Sequence, residues 1–223
     1  MKLRDIAKGD VLRVAINTGN RALVQVVDGK LQGVSPALAT RLASEIGLPI
    51  EHIVYDGAGM VFNDAHLDKW DVAFLAIDEK RAEKIAFTRP YITIEATYAV
   101  RAASKFKSVE DVDQAGVIVL TSIGSAYDMH LTKSLEHASL ERFGTPPESF
   151  IAFRDGRCDA VAGVRQSLEG LFADDPDIRI LSGVLTSVQQ AMVLPGKYNP
   201  LISALDDFVA RAIEDGFVAG HQG

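Results

Sequence analysis

The stretch from Asp71 to Tyr91 limits the possible folds of this chain more than any other segment. Val72 to Ile77 is an apolar run of strand length, and Asp78 then offers the short side-chain acceptor that suits a helix N-cap. Arg81 falls one turn into that helix, beside the carboxyl end of the strand. A guanidinium held there suits a bidentate grip on a carboxylate, although a solvated surface arginine on an ordinary loop is the commoner case.

Strand and helix patterns alternate along the rest of the chain, which predicts an α/β fold. A first strand is expected over residues 11–16, a hairpin turn at Asp28-Gly29, and a helix with Ser35 as N-cap and Pro36 at its first position. That helix is expected to stop at Gly47. Later helices are expected from Ser125 to about His137, over residues 146–155, and from Asn199 onward, the last with Leu201, Leu205, Phe208 and Ile213 as its buried stripe.

Composition and charge argue against several classes of partner. Hydrophobic residues make up 48% of the 223 residues and charged residues 24%, as in ordinary globular proteins. The net charge of −7 without a dense basic cluster argues against nucleic acid and anionic membranes.

No run approaches the roughly 18 apolar residues of a membrane span, and the N-terminus lacks the apolar core of a signal peptide. We therefore expect a periplasmic location if a signal peptide was removed, and a cytoplasmic one otherwise.

Cysteine and histidine usage argues against a disulfide framework or a metal site. Cys158 is the only cysteine, and the five histidines are scattered without the spacing of metal ligands. No nucleotide-binding or hydrolase fingerprint appears. We expect no metal and no cofactor, with Cys158 as a small buried side chain before a strand.

The central stretch resembles the signature of the type 2 periplasmic solute-binding proteins of the amino-acid class, family 3. Asp71, Arg81, Phe87-Thr88 and Pro90-Tyr91 match that signature in order and spacing. The resemblance extends over essentially the whole chain. It implies a two-lobed α/β fold of the periplasmic-binding-protein type II, with two hinge strands and a ligand cleft between the lobes.

Two β-rich runs, residues 91–100 and 188–194, fit the two hinge strands of such a fold. We therefore expect lobe 1 to contain residues 1–94 and 191–223, and lobe 2 to contain residues 95–190. The resemblance also implies a monomer that works with the membrane permease of an ABC transporter.

The resemblance further implies which residues contact the ligand. Arg81 matches the arginine that binds the ligand α-carboxylate, and the Gly124-Ser125-Ala126 loop matches the one whose hydroxyl and amides bind it from the second lobe. Ser125 with Asp128 three residues later is also a capping-box-like helix start. The first turn of such a helix attracts anions.

Several positions depart from the family's pattern. Phe74 and Ala76 replace hydroxyl-bearing residues, and Asn20 stands in the segment where the family usually has an aromatic residue that stacks on the ligand. Val164 replaces the aspartate that takes the α-amino group, and valine cannot accept a hydrogen bond from an ammonium group. We therefore expect a small carboxylate ligand without a free α-amino group in the usual place, or one whose amine is held by other residues. The candidates for that contact are Asn17, Asn20 and Gln190, with Gln166 and Glu169 as polar residues on the helix after Val164.

Two other functions fit the same fold. A cyclohexadienyl-dehydratase-like enzyme needs an acid near position 164, but residues 164–167 are Val, Arg, Gln and Ser. A ligand-sensing module of a larger receptor needs an effector domain, and the last predicted helix ends near Phe217 with few residues remaining. The solute-binding receptor is therefore the leading interpretation.

Overall fold

The computed structural model describes residues 2–222 and divides them into two compact α/β units. Unit 1 contains the residues up to Thr18, Leu23–Thr93, and the residues from Gln189 onward; unit 2 contains Gly19–Ala22 and Ile94–Val188. The chain thus passes between the units near residues 93 and 188, while the lobes were expected to divide at residues 94 and 190. The four residues Gly19–Ala22, expected in lobe 1, pack with unit 2.

Eleven strands and seven α-helices occur within the described residues, together with short 3-10 helices at Leu3–Ile6, Asp64–His66, Val109–Val112 and Ala219–His221. The strands are β1 (Leu12–Asn17), β2 (Gln25–Val27), β3 (Lys30–Gln32), β4 (Ile50–Tyr55), β5 (Val72–Ala76), β6 (Ile85–Arg101), β7 (Ile118–Thr121), β8 (Ser139–Arg142), β9 (Ala160–Val164), β10 (Ile178–Ile180) and β11 (Thr186–Pro195). The helices are α1 (Val34–Ile46), α2 (Ala58–Asn63), α3 (Glu79–Ala82), α4 (Ala126–Ser134), α5 (Pro146–Arg154), α6 (Arg165–Phe172) and α7 (Ile202–Glu214).

Unit 1 is built on strands in the order β4-β1-β5-β11. β1 is parallel to β4 and to β5, and β11 runs antiparallel to β5. β2 and β3 form a separate hairpin, with Asp28 and Gly29 at positive φ in the turn. The core of the unit packs Trp70, Val61 and Leu75 with Ile85. This arrangement brings the carboxyl ends of β1 and β5 to the same edge of the sheet.

Unit 2 repeats this plan with the order β6-β9-β7-β8, and β10 pairs with β6. β7 is parallel to β8 and to β9, whereas β6 is antiparallel to β9. Phe150, Phe153 and Phe172 pack with Leu120 in the core. β9 leads directly into α6, and residues 122–125 connect β7 to α4.

Two helix ends differ from the sequence predictions, because contacts between residues distant in the chain set them. α1 begins at Val34 after Gly33, so Ser35 is not its N-cap; the buried Ser35 hydroxyl instead lies 3.0 Å from that of Tyr91. α4 ends at Ser134 rather than near His137, since the N–H groups of residues 136–138 donate to Asp113 on the way into β8. Gly47 ends α1 at a φ of 69°, as predicted.

Three details near the C-terminal half also differ from the predictions. α7 begins at Ile202 rather than Asn199, and Ile213 is 40% exposed, so it does not belong to the buried stripe. β9 begins two residues after Cys158, whose side chain is half-buried rather than buried.

Within residues 2–222, no helix is both long enough and apolar enough to cross a membrane.

Candidate functional site

Three predicted site residues of unit 1 lie together where β5 pairs with β11. Gln190 stands opposite Ala76 and Met192 stands opposite Phe74. Opposite residues of antiparallel strands lie on the same face of the sheet, so Phe74, Ala76 and Gln190 share one face. All three side chains are buried, and the ring of Phe74 meets the ring of Tyr91 edge-on at a centroid distance of 5.9 Å.

Arg81 is attached to the end of the same strand. The Asp78 carboxylate accepts the N–H groups of Lys80 at 2.9 Å and of Arg81 at 3.2 Å, which confirms Asp78 as the N-cap of α3. The Arg81 side chain then turns back, and its Nη1 donates to the carbonyl oxygen of Ala76 at 3.0 Å. The Asp78 cap therefore fixes the helical turn that carries Arg81, and the hydrogen bond to Ala76 at the end of β5 fixes the position of its guanidinium.

Burial sets the electrostatics of Arg81. The residue is 1% exposed, and desolvation lowers its pKa to about 10, against the opposing effect of the Asp78 charge. A pKa of about 10 leaves the guanidinium charged at neutral pH. A buried positive charge with five fixed N–H donors, at the edge where β1 and β5 end, suits an anionic ligand.

Two other residues of the central signature brace unit 1. The buried Asp71 carboxylate accepts the main-chain N–H of Arg13 at 2.9 Å and pairs with its guanidinium at 2.7 Å, which joins β5 to β1 and raises the pKa of Arg13. The Thr88 hydroxyl accepts the N–H of Met192 at 3.1 Å and so joins β6 to β11. The signature therefore combines one candidate ligand residue with two that fix the surrounding strands.

In unit 2, the predicted anion-binding loop already has protein partners. The Ser125 hydroxyl accepts the N–H of Asp128 at 3.0 Å, which confirms Ser125 as the N-cap of α4. The Asp128 carboxylate accepts the N–H of Gly124 at 3.0 Å, and the N–H of Ser125 donates to Ser122. The Asp128 carboxylate thus lies at the start of α4. The amide of Ala126 belongs to the first turn of that helix, and such amides have no acceptor within the helix.

A cation compensates the carboxylate at this helix start. Arg142, the last residue of β8, pairs with Asp128 at 2.8 Å through Nε. A ligand carboxylate at α4 would therefore meet an Asp128 charge that Arg142 already balances. The sequence pattern did not indicate this pair, because β8 was not predicted.

Hydroxyl groups that sequence reasoning missed surround the same helix start. The buried Tyr127 and Ser122 hydroxyls are hydrogen-bonded to each other, and burial raises the pKa of Tyr127 to about 12. The Oγ1 of Thr121, at the end of β7, is buried without a hydrogen-bond partner among the described residues. Their sequence signal is position: Thr121 and Ser122 lie at the end of β7, and Tyr127 lies in the first turn of α4.

Val164 lies at the junction between β9 and α6, where it is the last strand residue and the N-cap position. It is 8% exposed and offers no side-chain cap. Gln166 and Glu169 lie on α6 with exposed side chains. The structure therefore provides no side-chain acceptor at the position of Val164 itself.

The two asparagines near the end of β1 lie in different units. Asn17 is the last residue of β1, opposite Tyr55 of β4 in unit 1. Asn20 belongs to the short segment that packs with unit 2 and is buried. Ser167 of α6 contacts that segment through hydrogen bonds, although the sequence had not indicated it as a site residue.

No metal centre emerges from the described residues: no group of three or more His, Cys, Asp or Glu side chains is placed to hold an ion. The polar groups of both units are instead single hydrogen-bonding side chains, helix-start amides and one buried guanidinium. Such groups suit recognition of a small polar organic molecule.

Comparison with protein families and known sequences gives a consistent assignment. The model of the bacterial extracellular solute-binding proteins, family 3, matches residues 12–221. The glutamine-binding protein of Geobacillus stearothermophilus is 25% identical over 158 residues, which are 69% of this chain and 60% of that protein. The ABC transporter glutamine-binding protein GlnH of Bacillus subtilis (strain 168) is 23% identical over 65% of this chain and 53% of its own length. The chain thus spans little more than half the length of these relatives.

Solved structures share the fold. The P235GK mutant of ArgBP from T. maritima has a TM-score of 0.83 at 24% identity, covering 99% of this chain and 96% of its own. The cysteine-binding protein from Campylobacter jejuni has a TM-score of 0.84 at 22% identity, covering 98% and 90% of the two chains. The chain therefore has the mixed α/β periplasmic-binding-protein type II fold, as expected from its sequence.

Proposed function

Since the chain belongs to the bacterial extracellular solute-binding proteins of family 3, we propose that it is the solute-binding component of an ABC-type transporter and that it binds a small carboxylate. The family consists of non-catalytic solute-binding proteins, so the chain is not an enzyme. A dehydratase-like reaction would moreover need an acid near Val164, and none of residues 164–167 is acidic.

The observation that carries the proposal is the buried charge of Arg81. Keeping a guanidinium charged in an interior costs free energy. A carboxylate ligand returns part of that cost through two parallel charge-assisted hydrogen bonds. In unit 2, we propose the amide of Ala126 and the hydroxyl of Ser125, at the start of α4, as donors to a carboxylate.

The remaining proposed ligand residues give the binding surface its shape. Phe74, Ala76 and Gln190 contribute one buried face in unit 1, and Gln190 is its polar member. Val164 and Asn20 contribute from unit 2. We propose that these five side chains select what the carboxylate is attached to.

The proposed ligand class is an acid with an amino-acid-like skeleton. The similar proteins include two glutamine-binding proteins and an arginine-bound ArgBP, which supports such a skeleton. The buried valine at position 164 argues against an α-ammonium group held in the ordinary way, since a buried ammonium needs acceptors or a counter-charge. We therefore propose that acids whose α-amine is absent or masked bind more tightly than the twenty standard amino acids.

The proposed setting follows from the family. A binding component of an ABC-type transporter works outside the cytoplasmic membrane and delivers its solute to a membrane permease. For this chain, both the location and the permease are proposals that rest on the family assignment.

A thermal-shift screen with chemically matched probes tests the proposal. The probes are L-glutamine with its deaminated analogue glutaramate, and L-arginine with 5-guanidinopentanoate; hits are followed by calorimetry. We expect the deaminated member of a pair to stabilise the protein more, and Arg81→Ala to abolish that stabilisation. Arg89→Ala, which removes a more exposed arginine paired with Asp206, is the matched control and should bind like the parent. Equal binding by the parent and the Arg81→Ala variant would contradict the proposal.

A further inference from the structure

We infer that Asn20 selects ligands that carry an uncharged N–H donor, such as a carboxamide, and that Ser167 positions Asn20 for this contact. This inference rests on the proposed function, since it names a chemical feature of the same ligand. Asn20 is 9% exposed, and among residues 2–222 no donor reaches its Oδ1. A buried carbonyl oxygen without a hydrogen bond is costly, so the side chain is arranged for a donor that the protein does not supply.

Ser167 fixes the backbone on both sides of Asn20. Its hydroxyl oxygen accepts the N–H of Arg21 at 3.0 Å, and the same hydroxyl donates to the carbonyl oxygen of Gly19 at 3.4 Å. Ser167 is itself buried. The two peptide groups that flank Asn20 are therefore held by one side chain on the first turn of α6.

Packing of Arg21 adds a second attachment to the same helix. A Cβ placed on Gly170 would come within 3.2 Å of the Arg21 guanidinium, so the Arg21 side chain lies directly over that glycine. Ser167 and Gly170 are three residues apart and hence on one face of α6. The short segment Gly19–Ala22 is thus attached to α6 at two points, which pre-organises Asn20 before any ligand arrives.

The chemistry around Asn20 favours a neutral donor over an ammonium group. A primary ammonium has three N–H donors and a charge to compensate, whereas Asn20 offers one neutral acceptor. The Ser167 hydroxyl already donates and accepts within the segment, and Val164 at the start of α6 is apolar. A carboxamide needs no counter-charge, and one of its N–H groups satisfies the buried Oδ1.

Two probes of the same shape isolate this contact. Glutaramate carries a carboxylate and a carboxamide; 5-oxohexanoate keeps the carboxylate and replaces the amide NH2 with a methyl group. Calorimetry on the full chain should show that the parent prefers glutaramate by at least about tenfold, as expected when a buried acceptor loses its donor. Asn20→Leu should bring the ratio of the two affinities close to one, and Asn20→Asp, which retains an acceptor, should keep the preference.

The role of Ser167 is tested by the same ratio, which a purely structural role would not change. Ser167→Ala should reduce the preference for glutaramate severalfold, and Ser167→Thr, which keeps the hydroxyl, should restore it. If Asn20→Leu fails to fold, Asn20→Ala replaces it in the comparison.

Three results would overturn the inference. Equal affinity of the parent for the two probes, or an unchanged preference in Asn20→Leu, removes the role of Asn20 while leaving Arg81-dependent binding of a carboxylate in place. Binding of neither probe excludes the carboxamide class. Failure of the proposed function looks different, because both probes would then bind equally to the parent and to Arg81→Ala.

Discussion

At the scale of single residues, Arg81 is the charged member of the proposed ligand residues and the others are neutral. Arg81 carries a buried charge whose pKa is lowered to about 10 by desolvation, and the neighbouring Phe74 and Ala76 are apolar. The polar residues Gln190 and Asn20 are neutral and buried. On the proposed function, we expect a ligand to gain most of its electrostatic free energy from Arg81, and the remaining side chains to discriminate by fit and by hydrogen bonding.

The geometry of Arg81 should matter as much as its charge. Arg81→Lys keeps a cation but loses the planar fork that grips a carboxylate in two parallel bonds. Loss of a buried charge-assisted pair costs about 2–5 kcal/mol of binding, or roughly 30-fold to several-thousand-fold in affinity. We expect Arg81→Ala to fall in this range and Arg81→Lys to lie between it and the parent, as measured by calorimetry with glutaramate. An Arg81→Lys variant that binds as tightly as the parent would show that the fork is not used.

Val164 should determine whether an α-ammonium group is accepted. Val164→Asp places a carboxylate at the start of α6, and we expect it to raise the affinity for L-glutamine relative to glutaramate. The matched control is Val164→Leu, which brings a side chain of about the size of aspartate without an acceptor or a charge, and which should change the ratio little. Micromolar or tighter binding of L-glutamine by the parent, unaffected by Val164→Asp, would show that this position does not affect ligand choice.

At the scale of elements, the proposed ligand residues of each unit lie at strand ends and helix starts. β5 leads into α3, β7 into α4 and β9 into α6, and each junction has a different cap: Asp78, Ser125 and the apolar Val164. Asp78 and Ser125 satisfy backbone donors and at the same time orient the side chains of the first turn, whereas Val164 provides no side-chain acceptor.

The cap of α3 should influence ligand binding through Arg81. Asp78 accepts two backbone N–H groups of a helix only four residues long, so Asp78→Ala should lower the free energy of unfolding by about 0.5–2 kcal/mol. It should also weaken glutaramate binding, because Arg81 follows the capped turn. Asp78→Ser, which can still cap, should recover most of both losses in denaturation and calorimetry experiments. A variant that loses stability but binds like the parent would separate the cap from the site.

At the scale of the whole molecule, both units use the same α/β plan and are connected by the strands β6 and β11. Each unit contains carboxylates that are stabilised by ion pairs or by hydrogen bonds from capped turns. Arg89 lowers the pKa of Asp206 in unit 1, and the amide and hydroxyl of Thr145 lower the pKa of Glu148 in unit 2. Lys69 likewise lowers the pKa of Asp64.

These shifts predict how stability depends on pH. A carboxyl group whose pKa is lower in the folded state stabilises the fold above its unfolded pKa, near 4, and loses that contribution as pH falls through the folded value. We therefore expect the Tm of the ligand-free protein to fall steeply between pH 5 and pH 3. Asp206→Asn should have a lower Tm at pH 7 and a smaller decline on acidification, whereas Asp207→Asn, one residue away, should follow the parent. A parent Tm that is constant from pH 7 to pH 3 would contradict this expectation.

Features that depend on neighbouring residues could be predicted from the amino-acid sequence. The α/β class, the order of most elements, the cap at Asp78, the cap at Ser125 and the stop at Gly47 all follow from local pattern and backbone geometry, and the structure contains each of them. The family assignment followed from a signature of about twenty residues. These features were accessible because periodicity and capping act within a few residues of the chain.

Contacts between residues distant in the chain could not be predicted from the sequence and are seen only in the folded structure. Ser35 is a hydrogen-bond partner of Tyr91 rather than a helix cap, Arg142 balances Asp128 from an unpredicted strand, and Ser167 holds the segment that contains Asn20. Each of these contacts joins residues between 14 and 146 positions apart in the chain. No local propensity encodes such a pairing, because it depends on which strand ends and helix starts the folded sheet brings together.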